Sequence, residues 1–357
     1  MLIEAIKMLY VNARFLTQEM TGVQRFAEEI SLALKDQISD IVFISPPGIL
    51  REEVARKLDV KVIGERTGHL WEQIDLPRYL KSKGSPLLLN LCSTAPILYK
   101  NKIVTHHDIT YKRYPQSFSK KFRLFYNLFT PLMLKGSRHL ITVSNFSKGE
   151  VCQAYRFPED KVSVVYNAVS NSFKPGSQRE DGAEKYLLAV SSPNYHKNFH
   201  GMIEAYAKLA SPDVTLKIIG KASGVFLPQS LESQATSNDK VKFLGRVDDS
   251  ELVDLYNNAL AFVFPSFYEG FGIPPLEAQA CGCPVISSKT ASMPEVLADS
   301  VLYFDPESSM EIAEAMKKVI NDAELRDNLT HKGFENVRRF SWQASAEVIS
   351  KLVTQLK

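Results

Sequence analysis

The chain has 357 residues, 45% of them hydrophobic and 23% charged, a globular composition that excludes a disordered, collagen-like or coiled-coil protein and suggests two domains. No run approaches the ~18 apolar residues that a membrane-crossing helix needs, and the opening MLIEAIKMLYVNARF, with Glu4 inside it, does not read as a signal peptide. The net charge of +3 divides into +8 over residues 1–170 and −5 over residues 171–357, so phosphate-rich partners or anionic lipid suit the first half, and nucleic acid along the whole surface is excluded.

Short apolar runs alternate with amphipathic stretches along the chain, the pattern of βα units and a mostly parallel sheet. In the first half, strands are expected at 6–11, 40–45, 61–64, 86–91, 102–107, 139–144 and 161–166. Helices are expected at 22–36, 49–58, 70–81, 117–134 and 145–155. The stretch 170–185, with Pro, Gly, Ser and many charges, reads as a linker. The alternation then restarts. Strands are expected at 186–191, 215–220, 241–245, 261–266, 284–288 and 301–305, with helices near 198–210, 228–236, 250–259, 275–281, 293–298, 307–320 and 322–338. An amphipathic helix over 340–357 ends the chain. The four cysteines, Cys92, Cys152, Cys281 and Cys283, are too few for a disulfide framework and suit a reducing, cytoplasmic compartment. Cys281 and Cys283 lack a second Cys or His pair for zinc. Asp248 and Asp249 read as a helix N-cap, so no metal is expected.

The richest segment is 262–296. It runs from a buried-type strand into Glu269-Gly270-Phe271-Gly272, then into a short helix that Pro274 and Pro275 open and Gly282 ends. Gly270 and Gly272 let backbone N–H groups approach an anion, and a helix start favours negative charge. Glu269 and Glu277, the latter placed in the first turn, are better used as hydroxyl acceptors. The plainer reading is a carboxylate on the helix dipole and a solvated one.

EGFGIPPLEAQACGCPVI (269–286) resembles the signature of glycosyltransferase family 4, retaining nucleotide-sugar-dependent enzymes of GT-B fold. Further segments extend the resemblance over nearly the whole chain: TGVQRFAEEI (21–30), VTHHDIT (104–110), LITVSNFSKGEV (140–151), VVYNAV (164–169), SPNYHKN (192–198), FLGRVDDSEL (243–252) and FSW (340–342). The resemblance implies two Rossmann-like α/β domains facing a central cleft. Residues 1–170 plus 340–357 would bind the acceptor and residues 171–339 the nucleotide-sugar donor, with the C-terminal helix returning to the first domain.

The resemblance also implies roles. Lys197 would neutralise the donor diphosphate, Glu277 would accept the ribose hydroxyls, and Glu269 would hold hydroxyls of the transferred sugar. Gly270, Phe271 and Gly272 would present backbone donors. His107 would sit at a strand end near the reacting sugar, and Gly22 would let the first loop approach donor and acceptor closely. His106, pointing the other way along the strand, reads as structural. Many members carry an Arg about six residues before the Lys; here that position is Ser191, leaving His196, Lys221 and Arg246 as substitutes. The implied chemistry is metal-independent, cofactor-free transfer with retention, the leaving diphosphate taking the acceptor's proton.

Residues 100–148 hold ten basic side chains and one acid, Asp108. Within them, 117–139 mixes Lys120, Lys121 and Arg123 with many apolar residues, which reads as a basic amphipathic helix on an anionic membrane surface. The combined expectation is a cytoplasmic enzyme, peripheral at the inner face of the membrane. It would extend a lipid-diphosphate-linked glycan in surface-polysaccharide (O-antigen-like) synthesis, with GDP-mannose the favoured donor and UDP-sugars and dTDP-rhamnose open. The alternatives are a soluble glucan or sugar-phosphate transferase of the same fold, or a silent binding subunit.

Overall fold

Runs such as Leu9-Tyr10-Val11 and Leu87-Leu88-Leu89 are buried throughout their strands, a requirement that a parallel sheet covered by helices on both faces meets. The computed structural model describes residues 8–176, 184–190, 194–209, 213–220 and 240–357. Seven strands form the first sheet: β1 Leu9–Asn12, β2 Ile41–Ser45, β3 Lys61–Val62, β4 Leu87–Asn90, β5 Lys102–Thr105, β6 His139–Thr142 and β7 Val162–Val164. Six form the second: β8 Tyr186–Val190, β9 Thr215–Ile219, β10 Val241–Gly245, β11 Ala261–Phe264, β12 Val285–Ser288 and β13 Leu302–Phe304.

The strand orders are β3-β2-β1-β4-β5-β6-β7 and β10-β9-β8-β11-β12-β13, with every pair within each sheet parallel. Each is a doubly wound sheet whose order reverses once, between β1 and β4 in the first and between β8 and β11 in the second. Ligands of such sheets bind outside the carboxyl ends of the strands at that reversal.

By its contacts the chain divides into two units. One comprises residues up to Lys112, Lys120–Asn167 and Ser341–Lys357; the other comprises Arg113–Ser119 and Ala168–Phe340. The short segment Arg113–Ser119 therefore belongs with the second sheet although its neighbours in sequence belong with the first, a detour that apolar periodicity does not signal. In the first unit, Tyr10, Val42, Ile44 and Leu88 pack against Trp71, Leu76 and Leu80. In the second, Leu187, Ala189, Leu216, Ile218, Ala261 and Val263 meet Met202, Ile203, Met316 and Val319. The C-terminal helix Trp342–Leu356 returns to the first unit. There Trp342 meets Phe26 edge-on at 6.1 Å, and Ser345 Oγ donates to the Tyr166 carbonyl at 2.7 Å.

Two expectations are corrected. The single helix over 70–81 is instead Gly68–Leu70, a π-helical turn Trp71–Asp75 and Leu76–Ser82. The wider turn keeps Trp71 in the core while Glu72 and Asp75 both turn inward, Asp75 to Arg66 at 2.6 Å. The helix over 117–134 starts at Lys120 and runs to Lys135, because Pro115–Ser117 forms a separate 3₁₀ turn in the Arg113–Ser119 segment. The helix near 228–236, the end of strand 186–191 at Ser191, and part of the 170–185 linker lie outside the described residues. Among the described residues, no helix is long and apolar enough to cross a membrane.

Candidate active site

The two loops that leave β8 and β11, on either side of the reversal in the second sheet, carry Lys197 and Glu269. Asn198 shapes the first. It adopts a left-handed backbone (φ +54°), and its Oδ1 accepts the Gly201 N–H at 3.2 Å, capping the helix Phe199–Ala207. Its Nδ2 donates to the carbonyls of Pro306 (2.7 Å) and Pro265 (3.2 Å), tying the loop to the end of β11. So held, Lys197 Nζ lies 2.6 Å from Glu269 Oε1 and 6.0 Å over the Phe264 ring. A cation and a carboxylate 72 residues apart in sequence are thereby one unit.

The segment Arg113–Ser119 braces the same loop. The His196 N–H donates to Ser117 Oγ at 3.1 Å, the His196 ring stacks on Phe118 at 5.9 Å, and Tyr114 stacks on Phe267 at 6.1 Å. The His196 carbonyl accepts the Phe267 N–H at 2.8 Å.

The glycine-rich turn is fixed from below. Ser292 Oγ lies 2.9 Å from the Glu269 carbonyl and 3.2 Å from the Phe271 carbonyl, and Phe271 meets Phe340 edge-on. Gly272 precedes the helix Ile273–Ala280 with φ +89°, and a Cβ there would collide with Met293 Cε. Gly272→Ala combines backbone strain with that collision, so unfolding in urea should show a loss of about 2–3 kcal/mol. A loss below about 0.5 kcal/mol would mean the turn relaxes freely. Gly270 has no positive φ and needs no such explanation.

Pro274 and Pro275 have no N–H, so the first turn of this helix lacks two of the amides that an anion would use. One detail of the helix departs from expectation. Glu277 is the fifth helical residue, in the second turn and buried, where it does not serve the helix N-terminus. Its carboxylate lies beside Tyr256, whose hydroxyl burial, followed by the charge of Glu277, holds well above the usual range. Gly282 does end this helix, at φ +80°. Asp248 caps the helix Asp249–Asn258 in a reciprocal capping box with Glu251, just after Arg246. Lys221 and Ser191 lie outside the described residues.

The remaining residues singled out from sequence belong to the first unit. His107 follows β5 and is buried; its Nε2 donates to the Leu91 carbonyl at 3.2 Å, and Phe26 packs edge-on at 5.0 Å. Burial holds its pKa below the usual value, against the Leu91 hydrogen bond and Asp108, so the ring is neutral at pH 7. Gly22 is the exposed first residue of the helix Gly22–Gln37 that carries Phe26. Lys120 and Lys121 are exposed, and Arg123 is half-buried with its Nε shielded from solvent.

His106 is buried, with Nε2 3.2 Å from the Tyr111 hydroxyl and Nδ1 without a hydrogen-bond partner among the described residues. Burial pushes its pKa down to about 4. The unfolded chain therefore binds the extra proton between pH 6.5 and about 4, and stability falls as the pH is lowered through that window. His107 shifts in the same direction. Urea midpoints measured from pH 7 to pH 4.5 should fall, and His106→Gln should flatten the decline; an equally steep decline in the variant would remove His106 as its source.

The family model described as "Glycosyl transferases group 1" matches residues 171–336, and the one described as "Glycosyltransferase Family 4" matches residues 20–173. The O-antigen chain mannosyltransferase RfbU of Salmonella typhimurium is 33% identical over 276 residues, 75% of this chain and 76% of the relative. The chain belongs to the group 1 and family 4 glycosyltransferases. This glycosyltransferase is also 30% identical over 263 residues to the O-antigen chain mannosyltransferase B of Escherichia coli, covering 70% of its own length and 68% of the relative. Among solved structures, the Anabaena Alr3699/HepE protein in complex with UDP and glucose superposes with a TM-score of 0.74 at 18% identity, over 98% of this glycosyltransferase and 99% of that chain. That likeness establishes the fold, GT-B, with two Rossmann-like sheets.

Sequence reasoning missed the Asn198 tie, the Ser292 support and the Arg113–Ser119 brace of this glycosyltransferase. The one signal for them was Asn198 itself, an αL-tolerant residue directly after the lysine.

Proposed function

We propose that this glycosyltransferase moves a hexose, with retention and without a metal, from a nucleotide sugar to a lipid-linked glycan, and that GDP-mannose is the donor. The observation that carries the reading is the Lys197–Glu269 pair at the reversal of the second sheet, with Glu269 opening the Gly270-Phe271-Gly272 turn that leads into the helix Ile273–Ala280. A diphosphate entering there competes with Glu269 for the ammonium, and the released carboxylate becomes an acceptor for sugar hydroxyls. In this reading Glu277 takes the ribose, Arg246 and Lys221 add positive charge where Ser191 offers none, and His107 presents a neutral imidazole to the reacting sugar. Donor loss is eased by fixed positive charge on the leaving diphosphate. Mannose and an O-antigen-chain acceptor are inferred from the similarity to the O-antigen chain mannosyltransferases RfbU and B.

Attachment to an anionic membrane surface is part of the same reading. On the helix Lys120–Lys135, Leu124, Leu128 and Leu132 form one stripe and are 63%, 62% and 53% exposed, beside Lys120 and Lys121. Apolar side chains flanked by lysines suit an interface between lipid headgroups and acyl chains.

The test is a thermal-shift comparison of GDP, UDP, dTDP and ADP. A ligand at 100 times its Kd adds about 2.7 kcal/mol of stability. We expect GDP to raise Tm most and Glu277→Ala to abolish the rise. A larger response to another base overturns the donor assignment, and no response to any of the four overturns the enzyme reading.

A further inference from the structure

The first sheet has its own reversal, between β1 and β4, and both strands end there in asparagine. Asn12 and Asn90 are buried, with Asn12 Nδ2 donating to Asn90 Oδ1 at 3.1 Å and to Glu72 Oε1 at 2.9 Å. Glu72 comes from the π-helical turn and is almost fully buried. Its Oε1 also lies 3.3 Å from Arg14 Nε and accepts the Thr94 hydroxyl at 3.2 Å, while Arg14 Nη2 donates to Thr94 Oγ1 at 2.7 Å. Oε1 is thus saturated. Oε2 faces His69 Nδ1 at 3.4 Å, and the His69 side chain is 49% exposed. The cluster runs from the floor of the sheet to solvent and ends on one imidazole.

The chemistry of that imidazole is set from beneath. Burial alone would raise the Glu72 carboxyl pKa, but the His69 hydrogen bond and the Arg14 charge outweigh it and hold the group ionised. An ionised carboxylate only accepts, so His69 donates from Nδ1, and in the neutral ring that leaves Nε2 as a lone-pair acceptor. Among the described residues nothing meets Nε2. The ring lies beside Phe125 at 5.2 Å and Phe129 at 6.4 Å, and Phe125 is itself exposed. Arg14 is neutralised by Glu72, so the cluster offers no free positive charge to a phosphate. A hydrogen-bond acceptor set against aromatic faces fits a neutral, hydroxyl-rich ring.

We propose that His69 binds a hydroxyl of the glycan acceptor through Nε2, with Glu72 as the positioning residue that fixes its tautomer. The inference rests on the glycosyl-transfer reading and assigns that reading's acceptor a place at the reversal of the first sheet. The π-helical turn, a feature that recurs at functional sites, is what aims Glu72 inward while His69 stays at the surface.

The test uses the full chain with ¹⁵N-labelled histidines, the His69 signals being identified by their absence in His69→Gln. Methyl α-mannoside, methyl β-galactoside and methyl N-acetyl-β-glucosaminide are titrated while the His69 nitrogens and the fluorescence of Trp71, in a Trp342→Phe background, are followed. At least one glycoside should shift Nε2. Its affinity should fall at least tenfold in His69→Ala and no more than threefold in His69→Gln, whose Oε1 reaches the same place, with GDP affinity unchanged in both and Tm lowered by a similar small amount in both, because Glu72 Oε2 loses the His69 Nδ1–H. Glu72→Gln should remove the tautomer preference in the nitrogen shifts. Unaltered glycoside affinity in His69→Ala, or no glycoside touching His69, overturns the proposal. Because GDP binding is read separately, its presence in that outcome leaves the glycosyl-transfer reading standing, and its absence removes that reading instead.

Discussion

Lys197→Ala is expected to lower kcat/KM for transfer by about 10²–10³-fold, equivalent to about 3–4 kcal/mol of transition-state stabilisation. The size follows from position. The ammonium sits on a loop that Asn198 pins by three hydrogen bonds, is about one-fifth exposed, and is aimed at Glu269 across 2.6 Å. In the proposed reaction, a charge fixed in this way needs little reorganisation when the diphosphate departs. The cost to folding should be much smaller, about 1 kcal/mol, because both partners retain solvent access. Lys197→Arg should recover only part of the rate, since a planar fork is not a point charge. Initial rates alongside melting curves separate the effects, and near-normal turnover in Lys197→Ala would sink the site assignment.

Glu72→Ala should act on the other property. Removing a carboxylate that is 1% exposed leaves the Arg14 guanidinium, 8% exposed, with Thr94 as its remaining side-chain partner. Breaking a buried pair from one side costs about 3–5 kcal/mol, and denaturant unfolding should show a loss of that order. Replacing both ends, as in Arg14→Met with Glu72→Leu, should cost less than the single change, because no buried charge is then orphaned. The sign of the Glu72 shift gives a second check: its pKa is lowered on folding, so its contribution is present above the ordinary carboxylate range and fades as the pH falls below it. A loss under about 1 kcal/mol in Glu72→Ala would mean water reaches Arg14.

Much of the scaffold was legible because its signals are local. β4 and β11 are apolar runs bounded by polar residues, and the caps Asp248 and Gly282 announce themselves by residue type. The candidate site was legible as separate residues but not as an arrangement. Nothing near Lys197 in sequence indicates that Glu269 is its partner, and nothing near Glu277 indicates that it is buried beside Tyr256. The Arg14–Glu72 cluster was missed for the same reason. Its members come from β1, the π-helical turn and the loops after β4, and they meet only once the sheet is wound. A local trace existed in the asparagines that end both β1 and β4, since a polar side chain closing an apolar strand points at the rim where ligands bind.

The Arg113–Ser119 detour has a consequence for taking the protein apart. The backbone passes from one unit to the other four times, at 112/113, 119/120, 167/168 and 340/341. No single cut yields two autonomous halves. A fragment starting near residue 170 would contain all of β8–β13 yet lack the hydroxyl that accepts the His196 N–H and the rings that cover His196 and Phe267. The lysine next to His196 would lose its brace, while the complementary fragment would carry Tyr114 and Phe118 without the rings of Phe267 and His196. Splitting the chain at the linker suggested by sequence should therefore yield two fragments that are each less stable than the same unit in the intact protein.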